Sequence, residues 1–189
     1  TTPMTLAETA SILCENLIID AALDDAGSVE EELAILETDL IGKTQVVVDI
    51  TSRYLFETEV FERRAKSELS AEELSEIMLR CQKQTYGDGL DERYMHKYMW
   101  TWKPHYYYSN LSFYNFPYAF GLLFSMGLYA IYKERGQGFV GDYEQLLAST
   151  GMADAATLAK WFKIDIRKKA FWKGSLDLIA QRIDRYCAL

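Results

Sequence analysis

Three pairs of side chains are chemically suggestive: Glu8 with Glu15, His96 with His105, and Tyr114 with Tyr118. Seven residues apart on a helix of about 3.6 residues per turn, Glu8 and Glu15 would fall within roughly 20° of each other on one face. Two carboxylates on one stripe could serve a metal or orient a ligating histidine. The plainer account is that Thr5-Leu6-Ala7-Glu8 has the form of a capping box and that Glu15 faces solvent. The chain has only two histidines, on either side of Pro104, and it contains no His-Glu-x-x-His, Cys-x-x-Cys or His-x-His. Its own residues therefore complete none of the common zinc sites. His96, within Tyr-Met-His-Lys-Tyr, reads as an ordinary helix residue. His105 opens the polar, aromatic run His105-Tyr106-Tyr107-Tyr108-Ser109-Asn110, where regular patterning stops and where functional groups often sit. A hydrogen-bonded structural histidine fits that place equally well. Tyr114 and Tyr118, four apart, would share a helical face, and a pair of phenols aimed at a reacting carbonyl could stabilise an oxyanion. Their other reading is a core aromatic stripe with Phe113, Phe116, Phe120 and Phe124.

The elements that must carry these groups are helical. Capping-box patterns recur at Thr5–Glu8, Ser28–Glu31 and Ser70–Glu73, each a Ser or Thr followed three residues later by Glu. After the first, Leu6, Ala10, Leu13, Leu17 and Ala21 recur at helical spacing. From Ser28 to about Arg64 there is no proline, and Leu33, Leu36, Leu40, Val47, Ile50, Tyr54 and Phe61 continue the pattern. The Val46-Val47-Val48 triplet alone suggests a strand, but it is short and its flanks are helical. A third helix runs from Ala71 to about Gln84 and ends at Gly87-Asp88-Gly89. Residues 90–115 are irregular. Pro117 then suits the first turn of a helix reaching Arg135, closed by Gly136 and Gly138. Shorter helices follow over 142–148, 153–162 and 175–186, giving an all-α reading with no repeat or linker. The two glycine pairs are too short and isolated for phosphate loops.

Bulk properties remove several function classes. At 49% hydrophobic and 25% charged residues, 189 residues can bury a real core, so disorder is not expected. A net charge of −8, with basic residues scattered apart from Arg167-Lys168-Lys169, opposes binding to phosphate backbones, so no nucleic-acid partner is expected. Three widely spaced cysteines, Cys14, Cys81 and Cys187, suit reduced thiols in the cytoplasm better than a disulfide framework. The apolar run from Tyr118 to Tyr132 is too short to span a bilayer, so no membrane partner is expected either. The chain opens Thr1-Thr2-Pro3 without an initiator methionine, and the expectation is a segment of a longer polypeptide.

Three stretches taken together resemble the oligoendopeptidase F branch of the M3 zinc peptidases, the thimet-oligopeptidase-like family. They are Pro3 to Ser11 (PMTLAETAS) with Glu15, then Pro104-His105-Tyr106-Tyr107-Tyr108, then Phe113 to Gly121 (FYNFPYAFG). Tyr132-Lys133, Gly151, Ile164-Asp165 and Phe171-Trp172 extend the likeness along the tail. The resemblance implies that residues 1–189 form the C-terminal helical lobe of a larger, mostly helical catalytic domain. It further implies a zinc metalloendopeptidase that hydrolyses short oligopeptides. In that family two histidines of a His-Glu-x-x-His helix and a later glutamate in a Glu-x-x-Ser context hold Zn2+. Glu8, followed by Ser11, matches the glutamate, and Glu15 matches a second one, expected to orient a ligand. His105, Tyr114 and Tyr118 match residues that hold the peptide and hydrogen-bond the oxyanion. The thimet branch carries a third tyrosine where this chain has Gly121. The missing His-Glu-x-x-His is the larger departure, and it makes an upstream segment of the same parent protein the necessary partner. Alone, the chain is expected to cleave nothing. The alternative is a free-standing, metal-free helical module that binds peptides or serves structure only.

Overall fold

In the computed structural model, residues 3–189 are described; Thr1 and Thr2, at the head of the expected 1–189 segment, lie outside them. The ordered helices are α1 (Thr9–Asp25), α2 (Val29–Thr44), α3 (Ile50–Arg64), α4 (Ala71–Tyr86), the single turn α5 (Met99–Trp102), α6 (Phe116–Arg135), α7 (Val140–Ala148), α8 (Ala155–Trp161) and α9 (Lys169–Ala188). Short 3-10 turns join several of them, and no strand occurs among the described residues. The all-α expectation therefore holds. Among the same residues no helix is long and apolar enough to cross a membrane.

Local chemistry explains most boundaries. Ser70 and Glu73 form the full capping box, the Ser70 hydroxyl accepting from the Glu73 N–H at 3.2 Å and the Glu73 carboxylate from the Ser70 N–H at 2.9 Å. Ser28 accepts from the Glu31 N–H, but the Glu31 carboxylate reaches one residue further back, to the Gly27 N–H. The box expected at Thr5 does not form. Pro3 leads instead into a 3-10 turn over Met4–Leu6, so α1 starts at Thr9 with Glu8 as its N-cap residue. Gly87 ends α4 with φ of 56°, a backbone state that favours glycine. The last helix starts at Lys169, earlier than Ser175, because Phe171 and Trp172 pack against the core from its first turn and Gly174 does not interrupt it.

The valine triplet is helical, as expected from its flanks, but in π form: Gln45–Asp49 is a π segment between α2 and α3. β-Branched residues are weak α-formers, and the wider π turn resets which residues face inward. Its last residue, Asp49, is buried, and beyond it so are Ser52, Arg53 and Glu57, whereas Tyr54 and Phe61, expected on the buried face, are 43% and 50% exposed.

The chain divides into two compact units: one joins the residues up to Lys43 with Phe120–Leu189, and the other is Thr44–Ala119. The core of the first holds Leu6, Phe124, Leu128, Leu146, Leu158 and Ile164, with Phe120, Phe171 and Trp172 packed on it. Gly127 permits this packing, since a β-carbon there would lie 2.3 Å from the Phe171 ring. Arg182 on α9 bonds Asp20 of α1 at 2.5 Å and Asp39 of α2 at 2.6 Å. The second unit packs Phe56 of α3 against Ile77, Met78 and Cys81 of α4, with Trp100 and Tyr106 closing the cluster.

Candidate functional site

In the second unit the irregular segment 87–115 is pinned to α3 and α4 by polar contacts. Gln82 reads the main chain at His96, donating to its carbonyl at 3.0 Å and accepting from its N–H at 2.9 Å. His96 itself is exposed and lies outside any helix, which corrects the helical expectation. Pro104 starts a 3-10 turn over Pro104–Tyr106. Its third residue, Tyr106, turns inward against Phe56, ring to ring at 5.2 Å, and lines a cleft of about 290 Å³ with Val60, Leu74 and Trp100.

His105 goes the other way and meets the two tyrosines. Its ring stacks on Tyr114 at 5.8 Å between centroids and 8° between planes, and meets Tyr118 edge-on at 6.2 Å. Tyr114 and Tyr118 are 5.5 Å apart at 83°. The three rings, all half-buried, form one cluster. Tyr114 does not reach it on a shared helical face, since α6 begins only at Phe116. It is delivered by a tight turn in which the Asn115 N–H bonds the Phe113 carbonyl at 2.7 Å and Phe113 takes φ of 61°.

A buried carboxylate holds that turn. Glu57, 5% exposed, accepts from the Phe113 N–H and from the Asn115 side-chain amide, each at 2.6 Å. Burial pushes the Glu57 carboxyl up, and the two donors pull it partly back. Desolvation pushes the His105 imidazole below its ordinary range, and the charges of Arg53 and Lys103 add to the shift. His105 therefore favours its neutral form, in which one ring nitrogen donates and the other accepts. Arg53 is ion-paired with Asp49, which also accepts from the Tyr86 hydroxyl at 3.2 Å. Lys103 rests over the Trp102 ring at 3.8 Å.

Glu57, Asn115 and Arg53 escape a sequence reading built on apolar periodicity. The available signal was the Asp49–Arg53–Glu57 ladder at four-residue spacing, the type of charged stripe usually assigned to solvent. The phenylalanines of the expected aromatic stripe separate. Phe124 is fully buried in the first unit, whereas Phe113 joins Tyr54 and Phe61 at 6.0 and 5.0 Å in the second.

Glu8 lies in the first unit, half-buried, with the Ser11 hydroxyl 3.1 Å from its carbonyl and 3.4 Å from its carboxylate. The Glu-x-x-Ser spacing thus corresponds to a real contact. Gly121 backs onto Glu8 so closely that a β-carbon at 121 would come within 2.7 Å of the Glu8 β-carbon. A tyrosine cannot replace Gly121 without moving Glu8. Glu15 is exposed on α1, and its charge acts on the buried Lys43. Among the described residues no three His, Cys, Asp or Glu side chains gather as a metal site. A carboxylate such as that of Glu8 is of a donor type that zinc accepts.

No family model and no curated protein matches the sequence. A solved structure does match the fold: oligoendopeptidase-F from Enterococcus faecium, with a TM-score of 0.78 over 98% of this chain, at 22% identity. The chain shares the fold of a part of that protein. It spans 35% of the length of that protein, so the likeness concerns one portion of the larger peptidase.

Proposed function

We propose that the chain is the C-terminal segment of the catalytic domain of a cytoplasmic zinc metalloendopeptidase of the M3 type that hydrolyses short oligopeptides. The observation that best supports this reading is the His105–Tyr114–Tyr118 ring cluster, built from the residues whose motifs resemble the family's substrate-binding set. In the proposal the neutral His105 and the two phenols hold the peptide backbone, and a phenol donates to the oxyanion formed when the scissile carbonyl is attacked. Glu8 is the third zinc ligand, and Glu15 is assigned to orienting a ligand from outside the ion's own shell. The zinc, when bound, would activate the attacking water and polarise the carbonyl. Its two histidines would come from a His-Glu-x-x-His segment upstream in the same parent protein.

On this reading the isolated chain binds zinc weakly and hydrolyses nothing, and activity returns on joining it to the upstream segment. The test is peptide hydrolysis and zinc content of the chain alone and of the parent protein. Turnover by the isolated chain, or a parent that hydrolyses no peptide, would contradict the proposal.

A further inference from the structure

A buried carboxylate is costly unless its oxygens are matched by donors. Glu57 is 5% exposed, and among the described residues no cation lies within ion-pair distance of it. Its two oxygens instead take one donor each, at equal length, from residues on either side of Tyr114: the Phe113 N–H and the Asn115 amide. Phe113 has a left-handed backbone, an arrangement that is unfavourable for a residue with a β-carbon and persists only when its surroundings enforce it. Asn115 has a second task. Its side-chain oxygen accepts from the Phe116 N–H at 2.5 Å, so the residue that completes the clamp also holds the first N–H of α6. Tyr114 sits between the two clamped residues, with its ring flat on His105.

We infer that Glu57 is a positioning residue whose carboxylate fixes the Phe113–Asn115 turn and thereby presents Tyr114 to His105 in the peptide-holding cluster. The inference deepens the proposed function and rests on it for the peptide. A carboxylate meets the geometry because both of its oxygens accept. Glutamine has one acceptor, and its amide would oppose the Asn115 amide, donor to donor. Aspartate is one methylene short. An apolar residue would fill the space but leave the Phe113 N–H and the Asn115 amide unmatched.

The test uses the imidazole resonances of the 189-residue chain, where His105 carries the ring-current displacement of a tyrosine stacked on it and His96 serves as internal reference. Tyr114→Leu defines the displacement that is lost when the ring goes. In Glu57→Gln the His105 signals should move to the same place while His96 stays put and the helical circular dichroism is kept. Adding Asn115→Asp should bring them back. The glutamine amide can then donate to the new carboxylate at 115, whose other oxygen still accepts from the Phe116 N–H, and the glutamine oxygen accepts from the Phe113 N–H. If Glu57→Gln does not fold, Asn115→Ser removes one arm of the clamp only, and a partial loss of the His105 displacement is expected. Unmoved His105 signals in a folded variant, or a double variant that regains stability without them, would overturn the inference. In the reconstituted parent, Glu57→Gln should lower kcat/KM for peptides, with Asn115→Asp restoring it. If the His105 signals respond as expected but Tyr114→Phe and Tyr118→Phe leave peptide hydrolysis intact, Glu57 positions the turn and the peptide-holding reading is the one that fails.

Discussion

At the scale of residues, Tyr118, Tyr114 and His105 were legible as types and not as an arrangement. The sequence offered a phenol pair on a shared helical face, whereas the rings meet through a turn before α6, with φ of 61° at Phe113. Periodicity has no term for such a turn, and a buried Glu57 among surface-type charges is invisible to it. If a phenol donates to the oxyanion, Tyr118→Phe in the parent should lower kcat by roughly 100-fold and leave peptide affinity nearly unchanged, the size found for losing one such donor. Steady-state kinetics with a measured substrate dissociation constant would check it. The imidazole of His105 should titrate below the ordinary histidine value, from desolvation first and the neighbouring Arg53 and Lys103 charges second. A lowered folded pKa means the folded chain binds fewer protons than the unfolded one between the two values. This contribution to stability is present in full above the ordinary histidine value and is lost as pH falls through the folded one. An imidazole titration by NMR reads the value directly.

At the scale of elements, the helices were largely readable because caps and periodicity agree. The helix from Ala71, the one ending at Arg135 and the glycine stop at Gly87 all sit where local signals put them. Misjudged boundaries have physical causes. Pro3 starts a 3-10 turn in place of a capping box, and the π segment at Gln45–Asp49 turns Tyr54 and Phe61 outward. Ser70→Ala should cost about 1 kcal/mol in urea unfolding, because the capping box is fully formed. Gly121→Ala should cost more, roughly 1–3 kcal/mol, as expected for overpacking. The added carbon would meet the Glu8 β-carbon at 2.7 Å and its backbone at 3.1 Å, atoms that cannot swing aside. Equal stability of Gly121→Ala and the parent chain would show that this approach is not tight.

At the scale of the whole molecule, the fold class followed from composition and pattern, and the solved structure agrees over 98% of the chain. The division into two units was not readable, because no proline-rich or glycine-rich stretch marks the changes at Lys43 and Ala119. The thiols offer a check on the folded state as a whole. Cys14 and Cys187 are exposed, while Cys81 is buried with its pKa raised to about 11, chiefly by desolvation. A thiol reagent at pH 8 should therefore titrate two of the three cysteines quickly and the third only on denaturation. Rapid reaction of all three would contradict the packing of α3 on α4.

The proposed role of Glu8 is to complete a zinc site in a peptidase of which this chain would be a part. It is tested most directly by the zinc content of the purified parent protein and of its Glu8→Ala variant after dialysis. The expected result is about one tightly held zinc per molecule in the parent and its loss in the variant, as a three-ligand site reduced to two would give. Equal zinc in both, with the variant folded, would contradict the assignment of Glu8.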